Sequence, residues 1–182
     1  MPSWLNPPNF FTLLRLVLIP FIVQAVLAGR HEFALAVFAV AAATDVLDGA
    51  AARHLGLTTP AGAYFDPIAD KCLLSGVFLA LAAVRMVPWW LTAIVLGRDL
   101  YILLGALAVR VSTGVKRFPP SLWGKASTFV QILTVAVWMA RDAFPNPAFN
   151  AAASALIWPC VAVTVWSGLH YTWRGVQFAK AH

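Results

Sequence analysis

The chain has 182 residues, 61% of them hydrophobic and 11% charged, a balance well outside the range of soluble domains. Apolar stretches long enough to cross a bilayer separate the few charges, which excludes a soluble enzyme, a disordered tail and a secreted disulfide scaffold. The net charge of +6 is scattered along the chain and does not form one basic stripe, so nucleic acid is not the expected partner and the sidedness of the bases becomes a question of topology. The two cysteines, Cys72 and Cys160, lie in apolar runs without CxxC or Cys/His spacing, and neither a zinc site nor a disulfide framework is indicated.

In chain order, six spans are predicted, at residues 10–29, 33–55, 66–87, 89–110, 121–140 and 150–173, each close to the ~20 residues a helix needs to cross a bilayer. The expected fold is an all-α integral membrane protein with six transmembrane helices, forming a single domain over residues 1–182. Turn-formers separate the spans: Gly29-Arg30, the stretch from Gly56 to Gly62 with Pro60, Val87-Pro88, Phe118-Pro119-Pro120 and Pro145-Asn146-Pro147. Pro20 and Pro159 fall inside spans, where a membrane helix tolerates them as kinks. A signal peptide ending near Ala28-Gly29 is the competing reading of the first span, but no Lys or Arg precedes Arg15.

Placing the loop after the second span in the cytoplasm puts Arg15, Arg53, Lys71, Arg110, Lys116, Arg117, Lys125, Arg174 and Lys180 on that side and only Arg30, Arg85 and Arg141 on the other. The positive-inside rule then predicts both termini in the cytoplasm. Arg98 remains within the fourth span, beside Asp99. Trp4, Trp89, Trp90, Trp123 and Trp173 fall near predicted helix ends, as an interfacial aromatic belt requires.

The acids are harder to explain. Asp45, Asp48, Asp66 and Asp70 lie at or inside the cytoplasmic halves of the second and third spans, where one ionised Asp costs roughly 2.5–3.5 kcal/mol at the centre of a membrane helix and less toward the interface. At 3.6 residues per turn the first pair stands about 60° apart and the second about 40° apart, so each pair presents its carboxylates on one face. Two such faces opposed would make an all-oxygen cage suited to Mg²⁺ or Mn²⁺. The plainer alternative is that these acids cap helix ends or pair with Arg53 and Lys71. The small residues between them, Gly49, Ala50, Ala51, Ala52, Gly62 and Ala63, favour the cage, because they let two helices and a ligand approach closely. Arg53 adds a fixed cationic fork suited to phosphate oxygens.

The run Asp45-Val-Leu-Asp48-Gly49-Ala-Ala-Ala52-Arg53, followed by Gly62, Asp66 and Asp70, resembles at every fixed position the signature of the CDP-alcohol phosphotransferases, a family of integral membrane enzymes. The six-span layout is similar to that family too. The resemblance implies that Asp45, Asp48 and Asp66 hold two divalent metal ions, that Asp70 completes the site and acts as general base, and that Gly49, Arg53 and Gly62 contact the nucleotide and diphosphate of a CDP-linked donor. It also implies a cytoplasm-facing polar active site and a homodimer.

The segment Asn6 to Arg15 resembles the opening of family members whose donor is CDP-diacylglycerol. There Asn9, Thr12 and Arg15 share one helical face that could point at the nucleotide, although N-capping explains Asn9 equally well. In the later spans, Arg98-Asp99, Arg110, Lys125 with Thr128 and Gln131, and the tail from Ser167 to Gln177 look most like the cardiolipin synthases of this family, whose acceptor is phosphatidylglycerol. Ala106 and Ser127 stand where phosphatidylglycerophosphate synthases usually carry cations, yet that enzyme, with glycerol 3-phosphate as acceptor, remains the alternative, and inositol-phosphate and serine acceptors stay open. Arg98, Arg110 and Lys125 are the candidate acceptor-binding residues. From another class, a small cation or proton transporter would also carry intramembrane carboxylates, but would spread them through the bilayer depth, whereas here, Asp99 apart, they cluster beside an Arg.

Overall fold

The computed structural model describes the backbone of residues 7–55, 62–113 and 121–180, and the side chains of 12–44, 68–108 and 121–177. It contains six helices: α1 (Pro7–Leu27), α2 (His31–Leu55), α3 (Gly62–Ala83), α4 (Trp89–Thr113), α5 (Leu122–Ala143) and α6 (Pro147–Lys180). No strand occurs among the described residues.

The short connections 28–30, 84–88 and 144–146 leave room only for tight reversals, so α1/α2, α3/α4 and α5/α6 are antiparallel hairpins. Helix α1 packs on α2 and α3, α5 packs on α2 and α6, and α4 is held by α6 and α3. One end of the bundle therefore collects the start of α1, α3 and α5 with the end of α2, α4 and α6.

Two hairpins close with the same capping geometry. After α1, Gly29 takes φ 70°, its N–H reaches the Val26 carbonyl and that of Arg30 the Ala25 carbonyl, a Schellman cap with glycine in its left-handed position. After α3 the corresponding bonds run from Arg85 to Ala82 and from Met86 to Leu81, but the left-handed residue, at φ 59°, is Arg85.

The helix limits differ most from the sequence expectation in α3 and α6. Helix α3 opens at Gly62 and stops at Ala83, a full turn earlier at each end than expected, because the Schellman cap diverts the chain before Val87-Pro88. Pro147 begins α6 and does not precede it, since a proline at the first helical position has no intrahelical N–H to lose. Helix α6 also runs on to Lys180. Pro20 and Pro159 lie inside α1 and α6 as expected.

The core is built from Ile22 and Val26 of α1, Phe38 of α2, Val77, Phe78 and Leu81 of α3, Leu91 of α4 and Val135 and Met139 of α5, all buried. In lipid, burial against other apolar chains brings little hydrophobic gain, so packing and interhelical hydrogen bonds must hold helices together. Gln131 supplies such a link, donating from Nε2 to Ser127 Oγ within α5 and to Thr164 Oγ1 of α6, each at 3.1 Å. Outward-facing Leu100, Leu103, Leu104 and Leu107 of α4, and Trp158, Trp166, Leu169 and Trp173 of α6, are exposed, which calls for an apolar solvent around the bundle. By length and hydropathy, Trp89–Ala108 and Pro147–Gln177 can cross a membrane; the apolar stretches Thr12–Leu27 and His31–Thr44 are shorter. The six expected spans thus correspond to six helices, two of which meet the criterion for a membrane crossing among the described residues.

Candidate active site

The last three turns of α2 carry Asp45, Asp48, Gly49 and Arg53, and the first turns of α3 carry Gly62, Asp66 and Asp70. The side chains of all these except Asp70, and those of Asn9 and Arg110, lie outside the described residues. What the backbone fixes is the register: each helix offers its two acids within one turn, at one end of the bundle. The donor set is all oxygen, which fits a hard divalent cation.

Asp70 is the described anchor of this end. Its Oδ1 accepts a hydrogen bond from an amino group of Arg15 on α1, and the Arg15 side chain is 1% exposed. Thr12, one turn earlier on the same face of α1, is also buried. The face bearing Thr12 and Arg15 is therefore turned into the bundle, where Arg15 is a buried cation that clamps a carboxylate across the α1–α3 contact. With Asp70 still 34% exposed, losing one partner should cost less than the ~3–5 kcal/mol of a fully buried pair.

On its far side Asp70 borders a cavity of about 510 Å³ whose polar wall comprises Asp70 and Lys71 of α3, Arg98 of α4, Lys125 and Thr128 of α5 and Tyr171 of α6. Leu74, Ile102, Phe129 and Ile132 form its apolar side. Among the described residues α4 and α5 do not touch, so the cavity occupies a cleft between them, backed by α3 and α6.

The charges in this cleft are organised around Asp99. Its Oδ1 accepts from Lys71 Nζ and from a terminal nitrogen of Arg98, both at 2.7 Å. The other terminal nitrogen of Arg98 donates to Ser167 Oγ on α6, and its guanidinium lies 5.9 Å from the Tyr171 ring centroid. Asp99 Oδ2 and Arg98 Nε are buried with no partner, an unusual pair of vacancies for a charged network. The Asp99 carboxylate thus offsets the desolvation of Arg98 and Lys71 and fixes their heads, while Lys125, exposed, adds a third cation to the wall.

Helix α5 enters the site through a tight corner. Ser121 caps it, its Oγ accepting from Gly124 N–H at 3.0 Å, while its own N–H donates to Tyr171 Oη at 3.1 Å. A Cβ on Gly124 would stand 3.1 Å from Tyr171 Oη and 3.3 Å from Ser121 Oγ, so glycine is what lets the phenol approach the start of α5. That contact places Lys125 and Thr128 on the cavity wall.

Of the expected acceptor residues, Arg98 and Lys125 meet at this cavity and Arg110 falls outside the described side chains. Thr128, noted in the sequence pattern, lines it; Gln131 instead links α5 to α6, and Ser167 of α6 accepts from Arg98 of α4. Lys71, read as a topological charge and as an ion-pair partner for the acids of the second and third spans, and Tyr171, not singled out, also belong to the wall. The available signal was Asp99: an acid within a span needs a partner, and Lys71 and Arg98 were the cations to seek.

A profile of the CDP-alcohol phosphatidyltransferase family matches residues 5–166. A probable phosphatidylglycerophosphate synthase of Mycobacterium tuberculosis is 35% identical over 94% of this chain and 82% of its own length. A CDP-diacylglycerol–glycerol-3-phosphate 3-phosphatidyltransferase of Pseudomonas fluorescens is 36% identical over 92% of this chain and 88% of its own. The CMP-forming cardiolipin synthase of Rattus norvegicus is 31% identical over 98% of this chain and 66% of its own. These matches set aside the transporter alternative: the chain belongs to the CDP-alcohol phosphatidyltransferase family and is a membrane-bound transferase of phospholipid synthesis.

Proposed function

We propose that the chain moves the phosphatidyl group of CDP-diacylglycerol onto a glycerol hydroxyl of phosphatidylglycerol, forming cardiolipin and releasing CMP. The observation that carries this reading is the cleft beside Asp70, which joins a cationic wall to an apolar side at the gap between α4 and α5. A lipid acceptor needs both features: cations for its phosphodiester and an apolar margin for chains that stay in the bilayer. Lys71, Arg98 and Lys125, partly balanced by Asp99, suit a single phosphodiester charge. The second reading is glycerol 3-phosphate as acceptor, and it is favoured by the names of the bacterial relatives.

The family's chemistry uses divalent metal ions, for which Asp45, Asp48, Asp66 and Asp70 are the proposed ligands; two such ions, Mg²⁺ or Mn²⁺, would neutralise the diphosphate and stabilise the departing CMP oxygen. Gly49 and Gly62 leave room for the nucleotide, Arg53 grips its phosphates as a bidentate fork, and Asn9 and Thr12 of α1 flank it. The acceptor enters from the α4–α5 side, and Lys71, Arg98, Arg110 and Lys125 hold its phosphate. That brings its hydroxyl toward Asp70, where Arg15 fixes the carboxylate that takes the proton as the oxygen attacks phosphorus. The bases concentrate at this end of the bundle, so the site faces the cytoplasm with both termini.

Purified full-length protein incubated with CDP-diacylglycerol and Mg²⁺ or Mn²⁺, with phosphatidylglycerol and glycerol 3-phosphate in separate tubes, tests the reading. Release of CMP with formation of cardiolipin in the first tube is expected. Turnover only in the second would replace the proposed acceptor with glycerol 3-phosphate.

A further inference from the structure

At the opposite end of the bundle, the ends of α3 and α5 and the start of α4 enclose a second cavity of about 540 Å³, lined by Arg85, Trp89, Trp138, Arg141 and the Met86–Pro88 turn. That volume is ordinary for a small-ligand site. None of its residues takes part in the transfer chemistry.

Two features of this cavity ask for an anion. Arg85 occupies the left-handed position of its Schellman cap at φ 59°, where Gly29 serves the equivalent cap of α1; an L side chain there is strained, and strain held at one residue points to a use for its side chain. Arg141 sits over the Trp138 ring, with its guanidinium carbon 4.4 Å from the ring centroid. Its Nε donates to Asp142 at 2.6 Å, which leaves the terminal amino groups of the fork for another acceptor.

The start of α4 adds first-turn N–H groups at Trp89 and Trp90 that have no acceptor within the helix. A helix C-terminus attracts a cation, which explains a base in the last turn of α5. It does not explain the strained backbone of Arg85.

We propose that this cavity binds a phosphate group between the Arg85 and Arg141 guanidiniums, with Arg141 braced on the Trp138 ring. Trp89 and Trp90, exposed at the start of α4, set the cavity at headgroup depth, so the occupant is an anionic phospholipid of the leaflet away from the active site. The site is separate from the acceptor cleft and stands whichever acceptor the enzyme uses.

The test follows lipid retention by native mass spectrometry and thermal unfolding of the full-length protein in detergent. The probe is phosphatidate, which has no headgroup hydroxyl to serve as an acceptor, and phosphatidylcholine and inorganic phosphate form parallel arms. Arg85→Gln/Arg141→Gln should weaken the retention of one phosphatidate by about tenfold or more, with CMP release within about twofold of wild type. Arg85→Gly guards against misfolding: relief of the strained backbone should raise the lipid-free Tm by a few degrees while removing the stabilisation that phosphatidate confers. Equal stabilisation by inorganic phosphate would keep the anion site but assign it to a free ion. Wild-type retention in both arginine variants, or phosphatidylcholine held as firmly as phosphatidate, would overturn the proposal.

Discussion

The two sides of Asp70 are built on opposite electrostatic plans. Along the end of α2 and the start of α3 the sequence repeats acids on consecutive helical turns, a surplus of negative charge that is tolerable only with cations to share it. Toward α4, α5 and α6 it gathers cations, Lys71, Arg98 and Lys125, around the single counter-charge of Asp99. The first plan suits metal-assisted handling of a diphosphate; the second suits direct recognition of a phosphate by the protein. Asp70 belongs to both, and Arg15, buried behind it, holds it in place from a third direction.

The largest effects should come from the acidic side. Asp45→Asn, Asp48→Asn and Asp66→Asn are each expected to lower metal-dependent CMP release by about a thousandfold or more, since several kcal/mol of charge stabilisation depend on the ligand set. Insertion into membranes should persist, because the amide is cheaper to bury than the carboxylate. Full activity in any two of the three would sink the metal-cage assignment. Arg53→Lys should lose most activity as well, because an ammonium cannot reproduce the fork.

Next comes Asp70, where the two sides meet. Asp70→Asn should still bind the CDP-lipid while turnover falls by the ~10²- to 10⁴-fold typical of a lost general base. Donor binding, followed by a titration that CMP competes with, separates the roles: a collapse of affinity along with turnover would make Asp70 chiefly a ligand. Arg15→Met leaves the Asp70 charge half-buried without its clamp and should destabilise the fold by less than the ~3–5 kcal/mol of a fully buried pair. A thermal melt unchanged from wild type would show that the α1–α3 clamp carries no weight.

How far each side could be read from the chain follows from this difference. The acids recur at i, i+3 and i, i+4 in neighbouring helices, so periodicity alone puts them on common faces. The cationic wall of the cavity draws Lys71, Arg98, Lys125 and Tyr171 from four helices, and no local spacing tells that they meet. Six helices were legible because apolar length is a local property, whereas the early end of α3 depends on Arg85 adopting a backbone position usually left to glycine. The partner of Arg15 was hidden for the same reason, since Asp70 lies fifty-five positions later in the chain.

Within the cationic side, Lys125→Gln should raise the acceptor KM by about tenfold, the worth of one charge-assisted contact, with the donor KM unchanged. A shift confined to the donor would move Lys125 out of the acceptor site.

The smallest expected effect is the most local. Tyr171→Phe keeps the ring beside Arg98 but removes the oxygen that accepts from Ser121 N–H. Ser121 Oγ still caps Gly124, so α5 keeps its start; the cost is one neutral hydrogen bond, about 0.5–1.5 kcal/mol. If that bond serves to seat Lys125 and Thr128 on the cavity wall, the acceptor KM should rise by a few fold while kcat at saturating acceptor stays near wild type. Gly124→Ala attacks the same corner by crowding the phenol at 3.1 Å, and should produce the same acceptor-selective change. Combined with Tyr171→Phe it should give less than the sum of the two effects, because the hydroxyl contact is gone while the ring carbon at 3.2 Å and Ser121 Oγ at 3.3 Å are still crowded. Fully additive effects would mean that the glycine and the phenol act separately, and that the α5–α6 corner does not position the acceptor wall.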